Sequence, residues 1–272
     1  MRWNRLAVAV LTICAGAHAA AAAPRAVLEL FTSPFCSSCP PADELFVKLA
    51  GQPDLITLVM PVDSWDRPGR KDALAKPEFT ERQSAYADVR NEDSLYTPQA
   101  MVNGAAEALG SDPGEIKDAI AQTADVLSVP VKAAVTGTEI AISVGAGKRA
   151  VPGGAMITML PFITTREIPM RRGETLHYAN LVRDIVPVGR WDGKPVKQKL
   201  QLKDTAQYDG VVVLLQAGTA EKPGAILGAA RVLLRAKAAA CPLPRTPITE
   251  RRAAASAVQG SSSRNHALQT GY

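Results

Sequence analysis

Cys36-Ser37-Ser38-Cys39 sets two thiols two residues apart. Cysteines at this spacing can close a small-ring disulfide, exchange it with another thiol, or hold a soft metal ion. The thiolate is the reactive form, and the free N–H groups and positive dipole end of a helix N-terminus favour it. The first cysteine then attacks and the second resolves the mixed disulfide. Zinc uses the same spacing but takes four ligands. Beyond this pair and the N-terminal Cys14, the chain has only Cys241 and three histidines, His18, His177 and His266. We therefore assign no metal site and no cofactor. Three readings of the pair stay open: a redox-active couple, a structural disulfide, and a copper(I) carrier.

The compartment bears on that choice. Met1 to Ala23 reads as a signal peptide, with Arg2 and Arg5 ahead of a short apolar run and small residues offering A-x-A cleavage sites. The mature chain is expected to be exported, periplasmic or secreted, with no stable membrane insertion once the signal is removed. Cys14 leaves with the signal, so Cys36, Cys39 and Cys241 remain where disulfides persist. Three is odd, and Cys241 is a free thiol or an intermolecular partner.

Composition excludes other classes. Of 272 residues, 47% are hydrophobic and 21% charged, an ordinary globular balance. Aromatics are only 5%, too few for a base-stacking platform. The 31 cations lose Arg2 and Arg5 with the signal, which against 26 acids leaves +3, too weak a field for a nucleic-acid partner. No Ser-His-Asp set or phosphate-binding glycine loop is present.

The elements that must position the thiols follow from periodicity. Ala26 to Phe31 reads as a strand. Leu45, Phe46 and Leu49 mark one face of a helix after Pro40-Pro41. A residue before proline avoids the helical region, so the helix is expected to begin near Pro41. That start, with Asp43 and Glu44 adding negative charge, predicts only a modest lowering of the Cys36 pKa. Leu55 to Val62 reads as a second strand, Glu78 to Arg90 as a helix, Asn103-Gly104 as a hairpin turn, and Asp112 as the cap of a helix from Pro113. From Val126 the pattern changes to short apolar runs parted by glycines, an all-β sandwich signature. The resulting division is an α/β domain over 24–125, an immunoglobulin-like β-sandwich over 126–236 and a disordered tail over 237–272.

Asp63-Ser64-Trp65-Asp66 follows the second strand at the carboxyl edge, where open α/β sheets place ligands. Trp65 there is a candidate groove wall or a core residue, and Asp63 and Asp66 are candidates for proton transfer. Arg82 and Tyr86 share a helical face, read as a salt-bridged surface helix. His177 reads as a strand or loop residue.

Residues 27 to 125 resemble a thioredoxin-like domain. The resemblance implies that Pro98 is the proline with a cis peptide bond facing the CxxC pair, and that Thr97 docks an extended substrate through its backbone. Leu28 to Ser33, Thr97-Pro98-Gln99 and Gly110-Ser111-Asp112 are similar to glutaredoxins. Cys36 to Asp43, Val62 to Asp66 and Tyr96 to Gln99 together resemble an exported bacterial family, the domain-of-unknown-function family 1223. Gly173 to Leu176 and Tyr178 to Asn180 fit it too. The implied activity is thiol–disulfide exchange by Cys36 and Cys39, with Trp65, Thr97 and Pro98 binding a protein dithiol, a protein disulfide or glutathione. The alternative is a binding module with a permanent Cys36–Cys39 bond.

Overall fold

Apolar runs without polar alternation demand strands covered on both faces. Ala26–Thr32 (β1) and Leu55–Pro61 (β2) are such strands, buried at every position. They pair in parallel with Ala26 beside Leu55 and Thr32 beside Pro61. The computed structural model describes residues 23–148, 150–169 and 175–234. The expected signal segment up to residue 22, Cys241, His266, the tail from 237 and Gly173-Glu174 lie outside the described residues.

The crossover from β1 to β2 is α1 (Pro40–Ala50). It begins one residue earlier than expected, and Cys39 takes helical angles (φ −78°, ψ −34°) as its N-cap. The bias before proline is a preference that tertiary packing overrides. Pro40 needs no N–H at the first helical position, and Cys39 O still accepts from Ala42 and Asp43 N–H. A short 3-10 turn at Asp63–Trp65 leads to α2 (Pro77–Arg90).

Asn103 and Gly104, at φ 51° and 59°, join β3 (Gln99–Val102) to β4 (Ala106–Leu109). Both φ values suit a two-residue hairpin turn. Asn103 is fully buried: its side-chain oxygen accepts from Val27 N–H at 2.7 Å and its amide donates to Thr123 Oγ1 at 2.9 Å. Asn103→Ala strips partners from β1 and from the end of α3 (Pro113–Gln122). The expected loss is about 2–3 kcal/mol in urea unfolding. A loss below about 0.5 kcal/mol would show that the Val27 N–H finds another partner.

The later chain adds β5 (Val131–Thr136), β6 (Glu139–Val144), β7 (Ala155–Pro169), β8 (Thr175–Val182), β9 (Val186–Trp191), β10 (Val196–Gln201), β11 (Gly210–Gly218) and β12 (Pro223–Leu233). The described strands make two sheets. The larger runs β12-β11-β7-β8-β2-β1-β3-β4, with β9 also on β7, and the smaller runs β10-β6-β5. The protein is thus mixed α/β with strands predominating. The sandwich expected over 126–236 does not stand free. β8 lies parallel to β2, Val59 opposite Leu181, so one sheet continues through the expected boundary at 125/126. Without β8, the outer edge of β2 would present unpaired backbone groups. The small sheet packs on β7, β9 and β11 around Ile140, Ile157, Trp191 and Val213. Gly189 and Gly193 read as turn residues, so no strand is expected at β9; it pairs with β7 nonetheless, through a register shift between Ile157 and Thr158.

Candidate functional site

The cysteines lie where β1 runs out. Ser33-Pro34-Phe35 turns the chain, Cys36 N–H donates to Ser33 O and Cys39 N–H to Cys36 O, and α1 follows. The pair is joined as a disulfide with Cα atoms 5.4 Å apart. Both cysteines are buried, Cys36 at 2% exposure and Cys39 at 0%. Thr97 sits opposite. Its carbonyl is 3.6 Å from Cys36 Sγ and accepts from Ser38 Oγ at 3.3 Å. The Thr97–Pro98 peptide is cis. Pro98 is held from behind by Gly110, whose N–H donates to Pro98 O at 2.9 Å. A Cβ at Gly110 would stand 2.7 Å from a Leu30 methyl and 3.1 Å from Pro98 Cβ, so this approach requires glycine.

Trp65 is half-buried against the core, and its Nε1 donates to Thr97 Oγ1 at 2.9 Å. Core packing and the groove wall, set apart in the sequence, are one arrangement. On α2, Gln83 donates to Tyr96 O at 2.8 Å and to Gln99 Oε1 at 3.0 Å, bracing the segment before β3. Beside Thr97 opens a groove of about 230 Å³ lined by Trp65, Arg67, Gln83, Leu95 and Tyr96. A larger hollow of about 660 Å³, around Gly153, Arg190 and Trp191, contains no cysteine and is open to solvent.

Asp63 and Asp66 are occupied elsewhere. Thr80 Oγ1 donates to Asp63 Oδ1, and Asp72 N–H donates to Asp66 Oδ1 at 3.0 Å. These bonds brace the loop, and none joins either carboxylate to Cys36, Cys39 or Thr97. His177 is half-exposed on β8, its Nδ1 3.8 Å from Glu167 Oε1 on β7. Arg82 and Tyr86 do share a face, but it is not a surface face. Arg82 bridges both oxygens of Glu29 at 2.8 and 3.0 Å, and the Tyr86 hydroxyl donates to Glu29 at 2.7 Å.

Asp43, one helical turn after Cys39 and with its N–H donating to Cys39 O, is 1% exposed. Burial pushes its pKa up to about 8, against the pull of the Thr32 hydroxyl, which donates to Oδ1 at 2.9 Å. Its Oδ2 makes no hydrogen bond, nor does the Tyr178 hydroxyl, which is raised by burial and by the Asp43 and Asp72 carboxylates. At neutral pH the protonated, uncharged form of Asp43 is therefore favoured. This corrects the expectation that it opposes a Cys36 thiolate. The signal was present in the spacing: Cys39, Asp43 and Phe46 fall at i, i+4 and i+7 of one helical face, and all three are buried. Among the described residues, no group of three or more His, Cys, Asp or Glu side chains could hold a metal ion.

A family model described as a protein of unknown function (DUF1223) matches residues 27–216. A crystal structure of a structural-genomics target from Agrobacterium tumefaciens is similar at 36% identity with a TM-score of 0.70, covering 78% of this chain and 95% of that one. No curated protein matches.

Proposed function

The chain belongs to the family of unknown function DUF1223, and on that premise we propose that it is an exported thiol–disulfide oxidoreductase working through Cys36 and Cys39. One observation carries the reading: Cys36 Sγ of the cysteine pair stands 3.6 Å from the carbonyl of Thr97, a residue that lines an open groove. The crossover β1-α1-β2 followed by the hairpin β3-β4 and α3, with the pair facing Thr97-Pro98, supports a thioredoxin-like reading of the first half. The location rests on the N-terminal segment read from the sequence.

In the oxidising direction, a substrate thiolate attacks Cys36 Sγ and the Cys36–Cys39 bond breaks. Its electron pair leaves with Cys39 Sγ, which takes the Asp43 proton. A second substrate thiolate then attacks the substrate sulfur of the mixed disulfide. Cys36 departs as thiolate, the substrate leaves as a disulfide and the protein retains two reduced sulfurs. Reduction of a substrate disulfide is the same sequence reversed. Asp43, protonated in the oxidising direction, gives its proton to Cys39; in the reducing direction it must first ionise, and only the carboxylate accepts the Cys39 proton.

The purified protein is expected to catalyse insulin reduction by dithiothreitol, and Cys36→Ser to remove that activity. Cys39→Ala is expected to accumulate the mixed disulfide. An inert native protein, or full activity in Cys36→Ser, would overturn the proposal in favour of a permanent disulfide. Copper(I) bound at one per reduced chain against a competing chelator would favour the carrier reading.

A further inference from the structure

Between the 3-10 turn and α2 the chain makes a tight reversal at Pro68-Gly69, where Gly69 takes φ 76°. Arg67 N–H donates to Arg70 O at 3.0 Å and Arg70 N–H to Arg67 O at 2.9 Å. Residues that pair directly across such a ladder send their side chains to the same face. The bridge thus starts both arginine side chains from one face of the turn. Arg67 borders the groove, and its Nη1 donates to the carbonyls of Ser64 and Asp66 at 3.2 and 2.7 Å. Arg70 lies 4.6 Å above the ring of Phe35, the residue before Cys36.

Neither arginine has an ion-pair partner among the described residues. The acids nearest in sequence form no salt bridge with either arginine; Asp63 accepts from Thr80, Asp66 from Asp72 N–H and Asp72 from Leu74 N–H. Arg67, Arg70 and Lys71 are all exposed. Leu95 and Tyr96, which also line the groove, are exposed. A strand of substrate lying along Thr97 would meet the exposed Arg67 as well as Leu95 and Tyr96 in the groove lining.

We propose that the Arg67–Arg70 turn selects, as partner of the cysteine site, an extended protein segment with acidic side chains next to its cysteine. The inference rests on the reading of Cys36 as the exchanging sulfur, and its chemistry is charge complementarity at the rim, which acts mainly on encounter rate and on rejection of wrong partners. The test compares two disulfide-bonded peptides that differ only in flanking residues, Asp in one and Lys in the other. The native protein is expected to exchange with the Asp peptide about 10-fold faster at low salt, and the difference to shrink as ionic strength rises. Arg67→Glu/Arg70→Glu is expected to invert the preference. A preference unchanged in that variant, or absent in the native protein, overturns the proposal. So does a charge dependence seen with glutathione disulfide but not with the peptides.

Two further measurements separate this from the proposed activity. Exchange of the native protein with the uncharged bis(2-hydroxyethyl) disulfide tests the cysteine chemistry alone. Fluorescence anisotropy with the same peptides carrying serine for cysteine tests the charge preference without any exchange. Loss of the first with retention of the second would sink the activity and leave the binding preference standing as a bare docking site.

Discussion

Arg82→Met is expected to lower the unfolding free energy by about 3–5 kcal/mol. Glu29 is fully buried in the middle of β1, and the Arg82 side chain is 9% exposed. Burial works against the arginine's charge, but the Glu29 carboxylate and the Tyr86 oxygen beside it outweigh that and hold it protonated. The same guanidinium donates to the Tyr86 hydroxyl and to Gln216 Oε1, both at 2.9 Å, and Gln216 Nε2 donates to the Tyr86 oxygen at 2.8 Å. One network therefore ties β1, α2 and β11. Removing the cation leaves a carboxylate in a dry site with only the phenol to answer it. Urea unfolding with an unchanged slope would measure the loss. The paired change Glu29→Leu/Arg82→Met is expected to recover most of it, since a matched apolar replacement removes the desolvation cost together with the attraction. A loss below about 1 kcal/mol for Arg82→Met would mean that Glu29 takes up a proton or reaches water.

Asp43→Asn is expected to have opposite effects on stability and on exchange. The carboxyl ionises near 3.8 in the unfolded chain and near 8 when folded, because burial raises it more than the Thr32 hydrogen bond lowers it. Between those values the folded state binds the extra proton. Stability therefore falls as pH rises, by about 1.4 kcal/mol per unit, and the loss is complete only above the folded value. At pH 7 the native chain has given up on the order of 4 kcal/mol that asparagine, being neutral, retains. The variant is expected to be more stable than the native protein at pH 7 and equal to it near pH 4. Exchange is expected to slow by about 10²-fold at pH 7, since Cys39 loses its proton partner. A stability difference that stays flat from pH 4 to pH 8 would show that Asp43 holds no extra proton. Unaltered exchange in a folded variant would show that Cys39 is served by solvent.

Thr97 and Pro98 come from the resemblance to a thioredoxin-like domain. Cys36 and Cys39 are legible because their signal is local, two cysteines at a helix start, and Asn103-Gly104 states the turn outright. The strands β1 and β2 and helix α3 were readable for the same reason, since period and capping act within a few residues. Asp43 was read from its charge alone, as an acid opposing a thiolate. Its i+4 relation to Cys39 was on the page, but spacing tells which face a residue shares, not what covers that face. Arg82 and Tyr86 were assigned correctly to one face and wrongly to the surface, because the acid and amide that meet them come from positions 29 and 216.

What the amino-acid order showed was therefore each short-range feature: the spacing of the cysteine pair, the hairpin turn, the cap of α3 and the strands β1 and β2. Folding in three dimensions alone chose the burial of Asp43, the partner of Arg82 and the insertion of β8 beside β2. These depend on which distant segments exclude water from one another. That exclusion turns a carboxylate neutral and an arginine into an internal brace, and no window of neighbouring residues contains it.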